Sequence, residues 1–336
     1  MTAYRVEIEP RAPLHRGIHG HAPKSGAVIH SDTLHAALLA SAAVTGAHND
    51  ALERLKTLRI SSLFPCLRDA YFFPKPYLPL PSALRKNEEQ GKDKNPKRWK
   101  KVRLVSEAAL NAWLLGKTDA LANAPEPRGG VMTLKGEFGN GDWPKNKLLQ
   151  SCRNTGVAVD RHSAAATPYD QNLVWVNTAE GVRLYCLVET TENEAWVREQ
   201  FERLGWAGLG GNRSSGFGGF KVTACEVWKR NNVNNADMFM TLSLYLPTRH
   251  EVDANVLEAP AAYDCALRGG WIHGVAGADK AKHALRLCLE GSVFNKVADQ
   301  HGEVRDVTPD DFKDHRVWRS GLAFALPFKR AEEEAS

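Results

Sequence analysis

The sequence has no run approaching the roughly 18 consecutive apolar residues of a membrane-spanning helix, and Met1 to Arg11 carries charges where a secretory signal would be apolar. These absences predict a cytoplasmic protein with no membrane contact. Cysteine is sparse: Cys66, Cys152, Cys186, Cys225, Cys265 and Cys288 stand far apart. Without CxxC or another paired spacing, no thiolate cluster is arranged for zinc, and neither a metal nor a cofactor is expected. Charge of one sign is in small excess, +5 at neutral pH, which permits an acidic partner without identifying one. What is present, 43% hydrophobic residues over 336 positions, is enough apolar side chain for two core-bearing units and argues against general disorder.

Tyr4, Val6 and Ile8 alternate with Arg5, Glu7 and Glu9, the period of a strand with one buried face. Leu34, Ala37, Leu38 and Ala42 share one face of a helix over Thr33 to Thr45, with Ser31 and Asp32 before it and Gly46 as its stop. A shorter helix is expected from Asp50 to Leu58, then a strand from Ile60 to Phe64 that Pro65 ends. Leu173 to Val176 and Val182 to Val188 read as a hairpin, followed by a helix over Glu192 to Leu204 and a strand through Phe220, Val222 and Ala224. The order is βαββαβ, which predicts an α+β, ferredoxin-like (RRM-like) unit.

That unit is expected to span residues 1–230, with a long insertion at about 84–168. Within it, Tyr71 to Pro81 (YFFPKPYLPLP) has too many prolines for a helix or central strand. Arg85 to Arg103 holds nine basic and three acidic residues, a local excess larger than the net charge of the whole chain. A second, smaller ferredoxin-like unit is expected over 231–336. Its strand candidates are Met238 to Leu246, Tyr263 to Leu267 and Leu322 to Leu326, and Ala278 to Leu289 is its expected helix.

The most informative segment is GLGGNRSSGFGG, Gly208 to Gly219, whose six glycines allow positive φ and close approach of backbone to a ligand. Gly210, Gly211, Asn212, Gly216 and Gly218 can shape an anion-binding nest, with Arg213, Ser214 and Ser215 as donors to a phosphate and Phe217 as a face for a base or sugar. A flexible linker or a plain tight turn is the structural alternative. A Walker loop needs Gly-Lys-Ser/Thr opening a helix, and a dinucleotide loop lies between a strand and the next helix. This loop follows a helix, lacks the lysine and enters a strand, so nucleotide hydrolysis and hydride transfer lose support.

GLGGNRSSGFGGF, placed between the last helix and last strand of such a unit, resembles the glycine loop of RAMP proteins, the RNA-binding family of CRISPR systems. HSDTLHAAL (His30 to Leu38), FFPKP (Phe72 to Pro76), RNTGVAVDRHSAAA (Arg153 to Ala166) and EGSVF (Glu290 to Phe294) are similar, in the same order, to motifs of the fourth subunit of type III-A (Csm) effectors. The resemblance implies a RAMP fold of two ferredoxin-like units and a non-catalytic subunit that holds the 5′ handle of the crRNA. It implies as partners the large polymerase-like subunit, the backbone RAMP subunit and target RNA near the guide start. It also implies a thumb-like hairpin, for which Arg128 to Arg153 is the candidate.

By the same resemblance, Ser31, Arg153 and Arg161 join the glycine loop as RNA contacts. Each has an alternative: Ser31 and Asp32 as helix caps, and Asp160 with Arg161 as an internal ion pair. Lys97, Arg98, Trp99, Lys100 and Lys101 are additional candidates, Trp99 by stacking on a base, against a solvated charged loop. Phe72, Phe73 and Tyr77 fit a core better than a stacking surface. The rival function is a RAMP endoribonuclease with His30 or His35 as general base, although no second acid-base group is evident beside either. Further alternatives are an equivalent subunit of another type III subtype, a general RNA-binding protein and a purely structural subunit.

Overall fold

The alternating segment at the start builds strand β1 (Thr2–Pro10), with Tyr4, Val6 and Ile8 buried. Arg5, Glu7 and Glu9 point to the opposite face by the same alternation. The computed structural model describes all residues except 17–24, 47–48, 82–83, 85–98, 140, 231–232, 273–279 and 331–336. A two-residue strand β2 (Leu14–His15) precedes helices α1 (Ser31–Val44) and α2 (Asn49–Lys56). Leu34, Leu38 and Ala42, spaced four apart, form the buried stripe of α1. Gly46, at φ 74°, ends it in the left-handed region that glycine enters without a Cβ penalty.

Next come β3 (Arg59–Ile60), β4 (Phe64–Leu67), β5 (Ala70–Pro74), β6 (Leu104–Ser106), α3 (Glu107–Leu114), α4 (Thr118–Ala122) and β7 (Val131–Met132). Then follow β8 (Leu149–Val159), β9 (Ala166–Val176), β10 (Val182–Thr190), α5 (Glu194–Ala207) and β11 (Phe220–Val227). The main sheet runs β11-β1-β10-β4-β5-β6-β7, with β3 also on β10. Its pairings are antiparallel except β6 with β7.

Two local expectations are corrected here. Pro65 does not end a strand: it lies inside β4 opposite Leu184. Neighbouring β5 reaches only Cys66 and Leu67, and such one-sided pairing tolerates a missing N–H. The expected hairpin of Leu173–Val176 with Val182–Val188 is absent, since β9 pairs with β8 and β2 in a separate sheet while β10 lies between β1 and β4. A single helical turn at Thr178–Glu180 and Gly181 at φ 81° carry the chain from one sheet to the other.

Both faces of the main sheet are covered. One core joins Tyr4, Val6 and Ile8 to Leu34 and Leu38 of α1, Leu55 of α2 and Val197, Phe201 and Leu204 of α5. The other joins Tyr185 and Leu187 to Phe72, Phe73, Trp99 and α3, and continues into the C-terminal unit through Met240, Phe324 and Leu326. Phe72 and Phe73 are therefore core residues.

The C-terminal unit contains β12 (Met238–Thr241), α6 (Arg249–Asp253), β13 (Cys265–Arg268), β14 (Leu285–Cys288), β15 (Val293–Asn295), β16 (Val304–Asp306), β17 (Trp318–Ser320) and β18 (Ala325–Phe328). Its sheet runs β15-β12-β18, and β13 with β14 and β16 with β17 form two-stranded pairs. The helix expected over Ala278 to Leu289 is corrected: its first two positions lie outside the described residues, and Leu285–Cys288 is a strand antiparallel to β13. Leu285, Leu287 and Leu289 alternate with Arg286 and Cys288, a period of two that the preceding alanines obscure. Among the described residues α6 is the unit's only α-helix, so the two-helix pattern of a second ferredoxin-like unit is not found there.

Candidate nucleic-acid interface

The glycine loop is closed at its base and open at its tip. The Gly208 N–H donates to the Leu204 carbonyl (2.8 Å) and the Leu209 N–H to the Gly218 carbonyl (2.9 Å). Gly218 and Gly211 in turn donate to the carbonyls of Pro13 and His15, both at 3.1 Å. Between these staples Asn212 turns left-handed at φ 55°, Arg213–Ser215 make one 3-10 turn, and Gly216 reverses it at φ 84°. Asn212, Ser214, Ser215 and Gly216 are exposed, and Arg213 and Phe217 are half-buried.

The glycines therefore divide by task. A Cβ on Gly210 would meet the His15 carbonyl at 2.5 Å, one on Gly211 would strike the His15 ring, and one on Gly218 would strike the Leu209 carbonyl. Around Gly216 nothing lies within 4 Å. The amides of Gly208, Leu209, Gly211, Ser215, Gly216 and Gly218 are already donated to protein carbonyls. The part of the loop that can meet a ligand is the turn Asn212–Gly216, with one guanidinium and two hydroxyls.

Beside the loop, β8 and β9 form a projecting ribbon whose outer residues are mostly exposed. This ribbon, rather than Arg128 to Arg153, is the hairpin in the insertion, because the long pairing begins at Leu149. Arg153 is exposed and pairs across the ribbon with Asp170, which also accepts from Thr155 Oγ1 (2.9 Å). At the tip, Asp160 accepts from the N–H of His162 (2.7 Å) and of Ser163 (3.3 Å). Asp160 thus shapes the turn through backbone amides rather than through the alternative ion pair with Arg161, and Arg161 stands exposed beside it.

Loop and ribbon meet at β2, a joint that sequence reading missed. Leu14 and His15 pair with Val174 and Leu173 of β9, while the His15 carbonyl holds Gly211. Among the described residues neither ring nitrogen of the buried His15 has a hydrogen-bond partner, and burial pushes its pKa below the ordinary histidine value. A two-residue strand leaves too short a pattern to be found by periodicity.

The N-terminus of α1 lies in a buried joint with the C-terminal unit, which corrects Ser31 as an open RNA contact. Ser31 is 3% exposed; its N–H donates to Ser62 Oγ (2.8 Å), and its hydroxyl accepts from the Leu244 N–H (2.9 Å). Asp32 accepts from Arg268 and from Arg319, the latter at 2.7 Å. Burial opposes its charged form, but the two guanidiniums hold its carboxyl well below the usual range. Glu290 of the EGSVF motif is fully buried and accepts from Ser25 (2.7 Å) and Ser62, and His30 Nδ1 lies 2.6 Å from it. Burial works against that carboxylate, and His30 and the hydroxyls outweigh it and lower its pKa.

Trp99, expected to stack on a base, is 5% exposed within the core below α3. Basic neighbours in the sequence do not reveal the direction of a ring. Lys100 and Lys101 are exposed, while Lys97 and Arg98 lie outside the described residues. Tyr77 is half-buried, its N–H bonded to the Gly291 carbonyl (2.8 Å), and burial first, then Asp264 and Glu290, pushes its hydroxyl up to about 12.

The family model for the CRISPR Csm4 C-terminal domain matches residues 234–328. The "CRISPR system Cms protein Csm4" of Mycobacterium tuberculosis is 26% identical over 271 residues, which is 79% of this chain and 80% of that protein. Over residues 234–328 the chain matches the Csm4 C-terminal domain family, and over most of its length it is similar to Csm4 proteins. A Csm4-containing crystal structure of a Csm3–Csm4 subcomplex from a type III-A CRISPR–Cas interference complex shares the fold, with TM-score 0.66 and 19% identity over 98% of this chain and all of that one. A Csm1–Csm4 cassette bound to pppApA matches with TM-score 0.58 and 18% identity, over 99% of this chain and all of that one. The Csm4 domain match includes Arg268, Glu290 and Arg319, the C-terminal residues that grip the start of α1.

Proposed function

We propose that this chain is the subunit of a type III-A CRISPR effector that caps the guide by binding the 5′ handle of its crRNA, without catalysing a reaction itself. The observation that carries this reading is the exposed turn Asn212–Gly216 between α5 and β11, braced through β2 against the ribbon. Its guanidinium and hydroxyls suit the phosphates of a single strand. The order β1-α1-β4-β10-α5-β11, with strands side by side as β11-β1-β10-β4, supports a ferredoxin-like RAMP unit as its frame. The matched structures contain Csm4 with Csm3 and with Csm1. That pairing supports a backbone RAMP and a large polymerase-like subunit as partners, in the cytoplasm, with the ribbon toward target RNA at the guide start. Among the described residues no helix is long and apolar enough to cross a membrane.

The test is affinity of the full chain for handle RNA against a scrambled RNA of equal length, repeated for Arg213→Ala and for Ser214→Ala with Ser215→Ala. The parent should prefer the handle and both variants should weaken it. Equal binding by all three proteins would remove the turn from the interface.

One observation favours the second reading, an endoribonuclease. His30, expected to lack an acid-base partner, has Glu290 at 2.6 Å. Its side chain is only 14% exposed and Glu290 is also tied to two serines, which suits a structural clasp better than an approaching 2′-OH. His35, the other candidate, is buried with Nε2 3.1 Å from the Lys56 carbonyl. Metal-free incubation with repeat RNA decides: a single cleavage product that His30→Ala abolishes would establish the nuclease.

A further inference from the structure

Trp206 is 82% exposed in the last turn of α5, two positions before the glycine loop. Indole is among the largest apolar surfaces a side chain carries, so this degree of exposure needs an explanation. The direction of the side chain is set by its neighbour. Gly205 lies so close to β11 that a Cβ there would sit 2.6 Å from the Phe220 carbonyl, which fixes that side of the helix inward and residue 206 away from the core. Trp206 packs against none of the apolar clusters formed by the described residues.

Among the described residues a guanidinium stands against it instead. The Arg11 guanidinium carbon lies 5.3 Å from the indole centroid, within the range of a cation–π contact. Arg11 is itself anchored to the loop, its N–H donating to the Gly219 carbonyl at 2.8 Å. The Arg213 side chain runs back along Gly208, with its Cγ 3.3 Å from where a Cβ would be. An open aromatic ring thus stands at the entry to the glycine loop, with the Arg11 guanidinium against it and the Arg213 stem against Gly208, two positions further along the chain.

We propose that Trp206 and Arg11 form a stacking platform for one nucleobase of a single-stranded RNA whose phosphate lies at the turn Asn212–Gly216. This inference rests on the reading of that turn as an RNA contact. A stacked base needs a flat face free of apolar neighbours and a cation within reach of the adjoining phosphate. A protein hot spot centred on tryptophan is set in a packed, water-excluding surround, and Trp206 has none.

The experiment uses the full chain and a short single-stranded RNA carrying a fluorescent purine at each position in turn. The purine whose emission is quenched marks the stacked base. Trp206→Leu should weaken binding by about 5- to 150-fold, the range for one lost base stack, and abolish the quenching. The slope of log K against log salt should stay unchanged, since no phosphate contact is removed. Trp206→Phe should retain most of the affinity, and an abasic residue at the quenched position should make parent and Trp206→Leu bind alike. Arg213→Ala separates the two readings. If it weakens binding while Trp206→Leu binds as the parent does, the platform is wrong and the turn stands. If both bind as the parent does, the turn and the platform fall together. If Trp206→Leu keeps its RNA affinity but loses a copurifying subunit, the ring is a protein contact and the platform is overturned.

Discussion

Arg268 forks onto Asp32 across most of the chain: Nη2 donates to Oδ1 at 2.8 Å and Nε to Oδ2 at 3.0 Å. Arg319 adds Nη1 to Oδ2 at 2.7 Å, so one carboxylate, 3% exposed, binds the end of β13 and the middle of β17 to the first turn of α1. The adjacent Ser31 and His30 repeat the tie to Leu244 and Glu290. The start of the first long helix is therefore a structural component of the C-terminal unit, and the two units should unfold together.

Asp32→Asn should cost about 3–5 kcal/mol, because it keeps the shape but leaves two guanidiniums around a neutral amide. Arg268→Ala should cost less, since Arg319 still neutralises the carboxylate. Urea unfolding checks both, followed by probes in each unit. Separate transitions for the two units in the parent would contradict the coupling.

Acid should weaken the same joint. Asp32 and Glu290 have folded pKa values below their ordinary ones, and Glu251, within the C-terminal unit itself, is held at about 2, with burial opposing and His301 and Thr248 favouring its charge. A carboxyl with a depressed folded pKa contributes stability above its unfolded value and loses it as pH falls through the folded one. The urea midpoint should hold down to about pH 4.5 and then fall progressively toward pH 2. Asp32→Asn should lose less over that interval, having no carboxyl left to protonate at that position.

Much of the first unit was legible because its signals are local. Alternation marked β1, the stripe Leu34–Leu38–Ala42 marked α1, and the glycine run marked the loop. Which residues meet across the fold was not legible. Asp32 read as a helix cap because its partners Arg268 and Arg319 lie far along the chain, and no periodicity encodes a distant pair. Trp99 read as exposed from its lysine neighbours, yet it fills the core beside α3. Within the loop the glycine count gave no division of labour, since Gly211 is required by His15, far back in the chain, and Gly218 by Leu209, at the opposite end of the loop.

That division is testable at two glycines. Gly218→Val places a Cβ on the Leu209 carbonyl in addition to forcing positive φ, so it should unfold the loop base and lower the melting temperature markedly. Gly216→Val meets open space and carries only the cost of its φ of 84°, about 1–3 kcal/mol. Thermal melts rank the two. Equal losses would mean that the Leu209 contact does not matter to the fold.

The ribbon allows removal of a whole candidate contact with little damage to the core. Among the described residues its outer part pairs only with itself, and anchoring begins at Asn172, whose carbonyl accepts from the Arg16 N–H, and at Leu173 and Val174, where β9 meets β2. Asn154 and Gln171 are directly opposite, so residues 155–170 can be excised and the ends rejoined by an Asn-Gly turn that suits a two-residue hairpin connection. The side chains lost are almost all exposed, and surface changes of this kind stay within about 0.5 kcal/mol, so the melting temperature should move by about 2 °C or less. The excision also removes Arg161, the exposed cation at the tip. If Arg161 meets a phosphate of single-stranded RNA, the slope of log K against log salt should flatten by about 0.7, and Arg161→Ala in the intact ribbon should reproduce that change. An unchanged slope in both proteins would take Arg161 out of the interface. A large drop in melting temperature would instead make the ribbon part of the fold's own support.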